Sequence, residues 1–147
     1  MRVPHNSMVM VADGAKALFF RNEGDGEYPH LVVEKKEVHV SPADRDQKSD
    51  EPGRTFSGQG MGGRSAYSEA DYHTLEEDRF AAETAETLRM RALRNEYDTL
   101  IVVAPPKTLG ELRKHYHKEV EKRLSGELAK DLTGHPVEEI EKILVAQ

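Results

Sequence analysis

Residues 8–20 read MVMVADGAKALFF, two short apolar runs separated by the turn dipeptide Asp13-Gly14. Runs of this kind around an Asp-Gly pair are typical of two antiparallel strands joined by a tight turn. The stretch therefore predicts a β-hairpin near the start of the chain. A third strand is predicted at Leu31 to Val40, where apolar residues alternate imperfectly with charged ones, as in a strand that has one solvent-exposed face.

After residue 70 the pattern alternates between helix and strand. A long helix is predicted from Asp71, which can cap it, to about Asn95. Its apolar residues recur at three- and four-residue steps: Leu75, Phe80, Ala81, Ala85, Leu88, Ala92 and Leu93. The run from Thr99 to Ala104 is otherwise wholly apolar, which predicts a central strand that is buried on both faces and stopped by Pro105-Pro106.

The C-terminal third predicts a second helix, an edge strand and a last helix. The second helix rests on the spacing of Leu109, Leu112, Tyr116, Val120 and Leu124. The edge strand is expected at Glu127 to Leu132, and the last helix opens at Pro136 and runs through Val145. Strands followed by alternating helix and strand indicate one α/β domain over residues 1–147, a mixed β-sheet flanked by helices.

Composition excludes several classes of protein. The chain has no cysteine, which excludes disulfides, thiolate nucleophiles and Cys-ligated metal centres. It has neither the features of a signal peptide nor a run of about 18 apolar residues, so a cytoplasmic protein without a membrane partner is expected. The net charge of −6 is the wrong sign for coating nucleic acid with the whole surface. Any RNA contact would therefore be confined to one face.

The segment from residue 41 to residue 70 is rich in glycine and proline and loses the periodic pattern. It is predicted to be a long flexible loop, and loops beyond about 12–15 residues tend to be functional or disordered. Its stretch Ser57-Gly58-Gln59-Gly60 would be able to enter a narrow cavity and present backbone N–H groups to a developing oxyanion. The alternative is a linker that glycine and serine keep soluble and flexible.

Two further groups of residues suggest chemistry. His115 and His117, with Glu119 nearby, suggest a metal site, but side chains two apart on a helix point to different sides, so no metal and no other cofactor is expected. The basic run that contains Arg113 and Lys114 is interleaved with glutamates, as in a solvated helix face. Arg113 and Lys114 are also the best RNA-facing candidates outside the loop.

A set of short segments, in this order along the chain, resembles a known family. They are Val11-Ala12-Asp13-Gly14-Ala15-Lys16-Ala17, Phe19-Phe20-Arg21-Asn22, Pro52-Gly53-Arg54, Phe80-Ala81, Val102-Val103-Ala104-Pro105-Pro106, Leu109-Gly110-Glu111-Leu112-Arg113 and Lys130-Asp131-Leu132-Thr133. Together they resemble the bacterial host-attachment proteins over essentially the whole chain. That family is similar to the middle domain of the archaeal and eukaryotic class-1 translation release factors, whose long loop ends in Gly-Gly-Gln. The resemblance implies an RNase H-like sandwich.

The same resemblance implies a site in the 41–70 loop. Gln59 would be the tip residue, whose backbone N–H stabilises the leaving group or oxyanion, and Gly58 would permit the turn of the backbone. Arg54 and Arg64 would contact RNA. The chain departs from the release factors at Ser57, which stands where they have the first glycine of the motif.

The function that follows from the resemblance is engagement of ribosomes or peptidyl-tRNA through this loop, with a contribution to peptidyl-tRNA hydrolysis. A single domain of this length has no room for the codon-reading domain of release factors, so stop-codon reading is not expected. The alternative is a non-catalytic module that binds a protein partner and affects cell attachment. A metal-dependent hydrolase that uses His115 and His117 ranks last.

Overall fold

The computed structural model describes the backbone of residues 1–38 and 62–147, and the side chains of residues 1–36 and 74–147. Within these residues the chain forms five strands and four helices. The strands are β1 (Met8–Ala12), β2 (Lys16–Asn22), β3 (Leu31–Val38), β4 (Leu100–Ala104) and β5 (Leu124–Ala129). The helices are α1 (Gly62–Leu93), α2 (Pro106–Arg113), α3 (Lys118–Arg123) and α4 (Val137–Val145).

The five described strands form one mixed sheet in the order β3-β2-β1-β4-β5. β1 and β2 pair antiparallel from Met8 opposite Arg21 to Ala12 opposite Ala17, which confirms the predicted hairpin. β2 and β3 are also antiparallel, whereas β1 pairs parallel with β4 and β4 pairs parallel with β5. The predicted α/β fold with a mixed sheet is confirmed.

Helices cover both faces of the sheet. On one face, α1, α2 and α3 bury a cluster that includes Met10, Phe19 and Val102 of the strands. On the other face, α4 packs Ile140 and Leu144 against a cluster of strand residues that includes Val9, Val11, Ile101 and Val103. Every residue of β1 and β4 is buried, as expected for interior strands of a sheet that is covered on both faces. The prediction of a central strand before Pro105 is confirmed.

The long helix begins earlier than predicted. α1 starts at Gly62 rather than Asp71, so residues 62–70 of the predicted loop are helical. After the two glycines this stretch contains alanine and glutamate and no proline, a composition that favours helix. The rest of the predicted loop that lies in residues 41–61 is outside the described residues.

The buried face of α1 is narrower than the predicted apolar stripe. The predicted stripe includes Leu75 and Leu93, but their exposed fractions are 63% and 52%. Conversely, Glu76 belongs to the predicted polar face and is buried, where it forms an ion pair with Arg79 at 3.1 Å. The face that meets the sheet consists of Phe80, Ala81, Ala85, Leu88 and Ala92.

The predicted second helix is two short helices. α2 ends at Arg113, and α3 begins at Lys118 with His117 as its N-cap. The spacing suggested one helix because Leu109, Leu112 and Val120 all reach the same cluster across the break. Because α3 ends at Arg123, β5 starts at Leu124, three residues before the predicted edge strand, and it ends at Ala129. The last helix follows Pro136, as predicted.

Candidate functional site

The Gly-rich segment singled out by the sequence joins the described core at one end of the sheet. β3 has the same direction as β1, because each is antiparallel to β2, and its last residue, Val38, lies opposite Lys16 beside the hairpin turn. The described chain resumes at Gly62 in α1. Four predicted site features lie outside the described residues: Arg54, Gly58, Gln59 and the side chain of Arg64.

α1 is much longer than the strands on which it packs. Its 32 residues correspond to about 48 Å, whereas a five-residue strand spans about 17 Å. Phe80 and Ala81 of α1 meet Ala12 at the carboxyl end of β1, where the three line one cleft. The part of α1 that precedes Phe80 is therefore about 27 Å long.

The cleft lies at the carboxyl end of β1, beside the first turns of the helix that follows β4. The chain leaves β1 towards β2 on one side, and the strand that follows β4 lies on the other side. Crevices where neighbouring strands connect in opposite directions are the usual ligand sites of open α/β sheets. The polar residues that line this cleft are Asp13, Glu77, Thr84, Lys107, Thr108 and Glu111.

The carboxylate of Asp13 organises the hairpin turn. Its Oδ1 accepts hydrogen bonds from the backbone N–H groups of Ala15 and Lys16 at 2.7 and 2.8 Å. Its Oδ2 lies 3.0 Å from the Thr133 hydroxyl, whose single proton is shared with Asp131 Oδ1 at 2.9 Å. Asp13 therefore connects the hairpin turn to the chain after β5.

The cleft also holds one ion pair and one buried hydroxyl. Glu77 Oε1 lies 3.2 Å from Lys107 Nζ, so this pair joins α1 to the first turn of α2. Thr84 is fully buried, and its Oγ1 has no hydrogen-bond partner among the described residues. The cleft is therefore lined by side chains of both charges and by hydroxyl groups, not by the cluster of cations that attracts phosphate groups.

Arg113 and Lys114, the predicted RNA contacts outside the loop, are exposed but already paired. Arg113 Nη2 donates to Glu127 Oε1 at 2.7 Å, and Lys114 Nζ lies 3.1 Å from Glu111 Oε1. The hydrogen bond to Glu127 raises the pKa of the Arg113 guanidinium above its ordinary value. At both positions a phosphate group would share its cation with a carboxylate.

The two histidines of the metal hypothesis take different partners. His115 Nε2 lies 3.0 Å from Asp78 Oδ1, and His117 Nδ1 accepts a hydrogen bond from the backbone N–H of Glu119. The hydrogen bond with His115 is the main reason that the pKa of the Asp78 carboxyl lies below its ordinary value. His115 joins the connection after α2 to α1, whereas His117 starts α3. The two side chains therefore do not converge.

Contacts between distant elements do not follow from the sequence. Glu77 with Lys107, Asp78 with His115 and Asp13 with Thr133 are each brought together by the fold. No local spacing identifies such pairs, because helical and strand periodicity relate only residues of one element. The nearest signal was the Asp-Gly turn itself, which places Asp13 at the end of β1.

Metal-binding clusters and membrane-spanning helices are both missing from the described residues. No group of three or more His, Asp and Glu side chains in residues 1–36 and 74–147 is placed to hold a metal ion. None of the helices in the described part of the chain has the length and apolarity needed to cross a bilayer.

Comparison with known proteins identifies the family of the chain. No curated protein matches it. The model of bacterial archaeo-eukaryotic release factor family 12 matches residues 6–144, which is nearly the whole sequence. The match confirms the resemblance to release factors that the ordered segments predicted. By this match, and in agreement with its mixed sheet and long helix, the chain belongs to bacterial archaeo-eukaryotic release factor family 12.

Proposed function

We propose that the protein engages ribosomes or peptidyl-tRNA through its Gly-rich 41–70 segment and aids hydrolysis of peptidyl-tRNA. The observation that carries the proposal is membership of a release-factor family, which gives a translation-related context. The topology supports it. The described part of β3 ends at Val38 beside the hairpin turn, and the 32-residue helix α1 begins at Gly62, within the segment.

In the proposed reaction the protein supplies a backbone donor rather than an acid or a base. The backbone N–H of Gln59 stabilises the oxyanion or the leaving group as water attacks the ester bond between peptide and tRNA. Gly58 gives the backbone the freedom to place that N–H group.

Two experiments test the proposal in order. The first is sedimentation of native lysate through a sucrose gradient at low and moderate salt, with the protein followed against ribosomal particles. Co-migration that weakens as salt increases supports a phosphate contact. Migration at the top of the gradient under both conditions contradicts ribosome binding and favours a protein partner. In that case, retention of an attachment phenotype after deletion of residues 41–61 would point to the interaction module.

The second experiment measures peptide release from peptidyl-tRNA on ribosomes. We expect Gln59→Pro, which removes the backbone N–H group, to abolish release, whereas Gln59→Ala keeps that group and should retain release. Gln47→Pro is the matched control, since Gln47 is the other glutamine of the same segment, and the thermal midpoint checks that each variant folds. Equal release by wild type and Gln59→Pro would remove the N–H group of Gln59 from the mechanism.

A further inference from the structure

Two side-chain pairs join α1 to the region around α2. Glu77 lies 3.2 Å from Lys107 in the first turn of α2, and Asp78 lies 3.0 Å from His115 in the connection after α2. Consecutive residues on a helix point about 100° apart. The two pairs therefore hold α1 from two directions rather than one.

The pairs lie next to the point where the apolar packing of α1 begins. Phe80 and Ala81 are 4% and 2% exposed and rest against the end of β1, whereas Leu75 is 63% exposed. Apolar packing from Phe80 to Ala92 holds α1 from Phe80 onward, whereas the turns before Phe80 extend beyond this packed face. Glu77 and Asp78 are three and two residues before Phe80, where polar contacts can restrain bending of those turns.

Helix length amplifies any change of that angle. The fifteen residues of α1 that precede Glu77 correspond to about 22 Å of helix, so a tilt of about 10° moves the start of α1 by about 4 Å. Misplacement by about 1 Å costs reactions that depend on positioning as much as a hundredfold in rate. Small changes at Glu77 or Asp78 would thus have large effects at the other end.

We propose that Glu77 and Asp78, through Lys107 and His115, are positioning residues that set the direction in which the first turns of α1 leave the sheet. The hydrogen bond with His115 is the main cause of the lowered pKa of the Asp78 carboxyl, and the charge of Lys114 acts in the same direction. The consequence for peptide release rests on the proposed function, whereas the direction of α1 is a property of the folded chain alone.

Gly14 offers a second, independent test of the contact between Glu77 and Lys107. A Cβ atom at residue 14 would lie 2.8 Å from Glu77 Oε2, closer than such contacts allow. Gly14→Ala would therefore push the Glu77 side chain away while it leaves both charges of the pair in place. We expect it to shift α1 in the same way as loss of the pair.

The chain has no cysteine, so Ser68→Cys on α1 and Ser125→Cys on β5 give a clean pair of sites for spin labels. We expect Glu77→Lys and Lys107→Glu, each alone, to shift or broaden the distance distribution by about 4 Å, as the tilt estimate implies. The double reversal restores the pair and should return the wild-type distribution. Asp78→Asn and His115→Gln should each produce a shift without restoration in combination.

The control is the ion pair of Glu86 and Arg89, both of which belong to α1. Reversal of either charge there should leave the label distance unchanged. Exposed ion pairs contribute little to stability, so every variant should melt near the wild-type temperature. No shift in the single reversals, or a shift that persists in the double reversal, would overturn the proposal.

A release assay separates this proposal from the proposed function. We expect release to fall at least about tenfold in Glu77→Lys and to recover in the double reversal. If Gln59→Pro retains full release, the proposed function fails, while the label distances still test the role of Glu77. If Gln59→Pro abolishes release but the single reversals change neither the label distances nor the release rate, the positioning role alone fails.

Discussion

At the scale of single residues, the buried hydroxyl groups of Tyr97 and Thr84 differ in whether they form a hydrogen bond. Tyr97 Oη donates to the Leu88 carbonyl at 2.8 Å, and burial raises the pKa of Tyr97 to about 12, so the phenol remains a donor. Thr84 Oγ1 is equally buried but has no partner among the described residues. The free energy of transferring a hydroxyl from water is thus offset at one position and not at the other.

Removing the hydroxyl group should therefore change the free energy of unfolding differently at Tyr97 and at Thr84. Tyr97→Phe loses a hydrogen bond and should lower the free energy of unfolding by about 1 kcal/mol. Thr84→Val keeps the shape of the side chain and removes the unbonded group, so it should be neutral or stabilising by up to about 1 kcal/mol. Urea denaturation measures both. A Thr84→Val protein that is clearly less stable than wild type would show that the hydroxyl has a partner.

At the scale of elements, one carboxylate links β2, β3 and α1. Glu34 of β3 accepts hydrogen bonds from Arg21 of β2 at 3.0 Å and from Arg91 of α1 at 2.6 Å. The two arginine side chains are only 12% and 13% exposed. Partial burial tends to raise the pKa of Glu34, but the two guanidinium groups outweigh it and lower the pKa below its ordinary value. The ionised form is thus favoured by folding.

Glu34→Gln should therefore destabilise the protein in a pH-dependent way. At pH 7 we expect a loss of roughly 1–2 kcal/mol, after allowance for solvent screening at this part-exposed site. A lowered pKa contributes stability above the unfolded value of about 4.3, and this contribution is lost as pH falls through the folded value. Denaturation at a series of pH values should show the difference between variant and wild type shrinking below about pH 4.3. A difference that stays constant to pH 3 would contradict the assignment.

The elements that the sequence predicted correctly are those whose signal is local. The Asp13-Gly14 turn, the wholly buried β4 and the helix after Pro136 each follow from a few adjacent residues. The break between α2 and α3 was missed, because Leu112 and Val120 reach the same cluster on either side of it. The spacing of apolar residues indicates which face of a helix is buried, but it does not reveal a short break in the helix when the residues on both sides of the break are buried on the same face.

For the candidate site, too, the features that the sequence indicated are local ones. Composition singled out the Gly-rich segment, and short segments in a fixed order along the chain indicated the release-factor family. The contacts of Asp78 with His115 and of Glu77 with Lys107 were not predictable, because the fold brings together residues 37 and 30 positions apart. In the sequence these residues look like parts of solvated charged faces, and only the packing of α2 beside α1 turns them into restraints.

At the scale of the whole molecule, a net charge of −6 opposes contact with RNA, so binding must depend on a few cations. Of the four predicted cations, Arg113 and Lys114 already pair with Glu127 and Glu111. In the proposed function the 41–70 segment makes the contact with RNA, so Arg54 and Arg64 should contribute more than Arg113 and Lys114 to the salt dependence of ribosome binding.

Binding to purified ribosomes over a range of salt tests this ranking. Removal of one cation that touches a phosphate group should reduce the slope of log affinity against log salt by about one. We expect Arg54→Ala with Arg64→Ala to lower the slope by about two, and Arg113→Ala with Lys114→Ala to lower it by less than one. Arg89→Ala is the control, because Arg89 pairs with Glu86 on α1. An equal fall of the slope in the two double variants would mean that RNA displaces Glu127 and Glu111, and the contact face would then extend along α2.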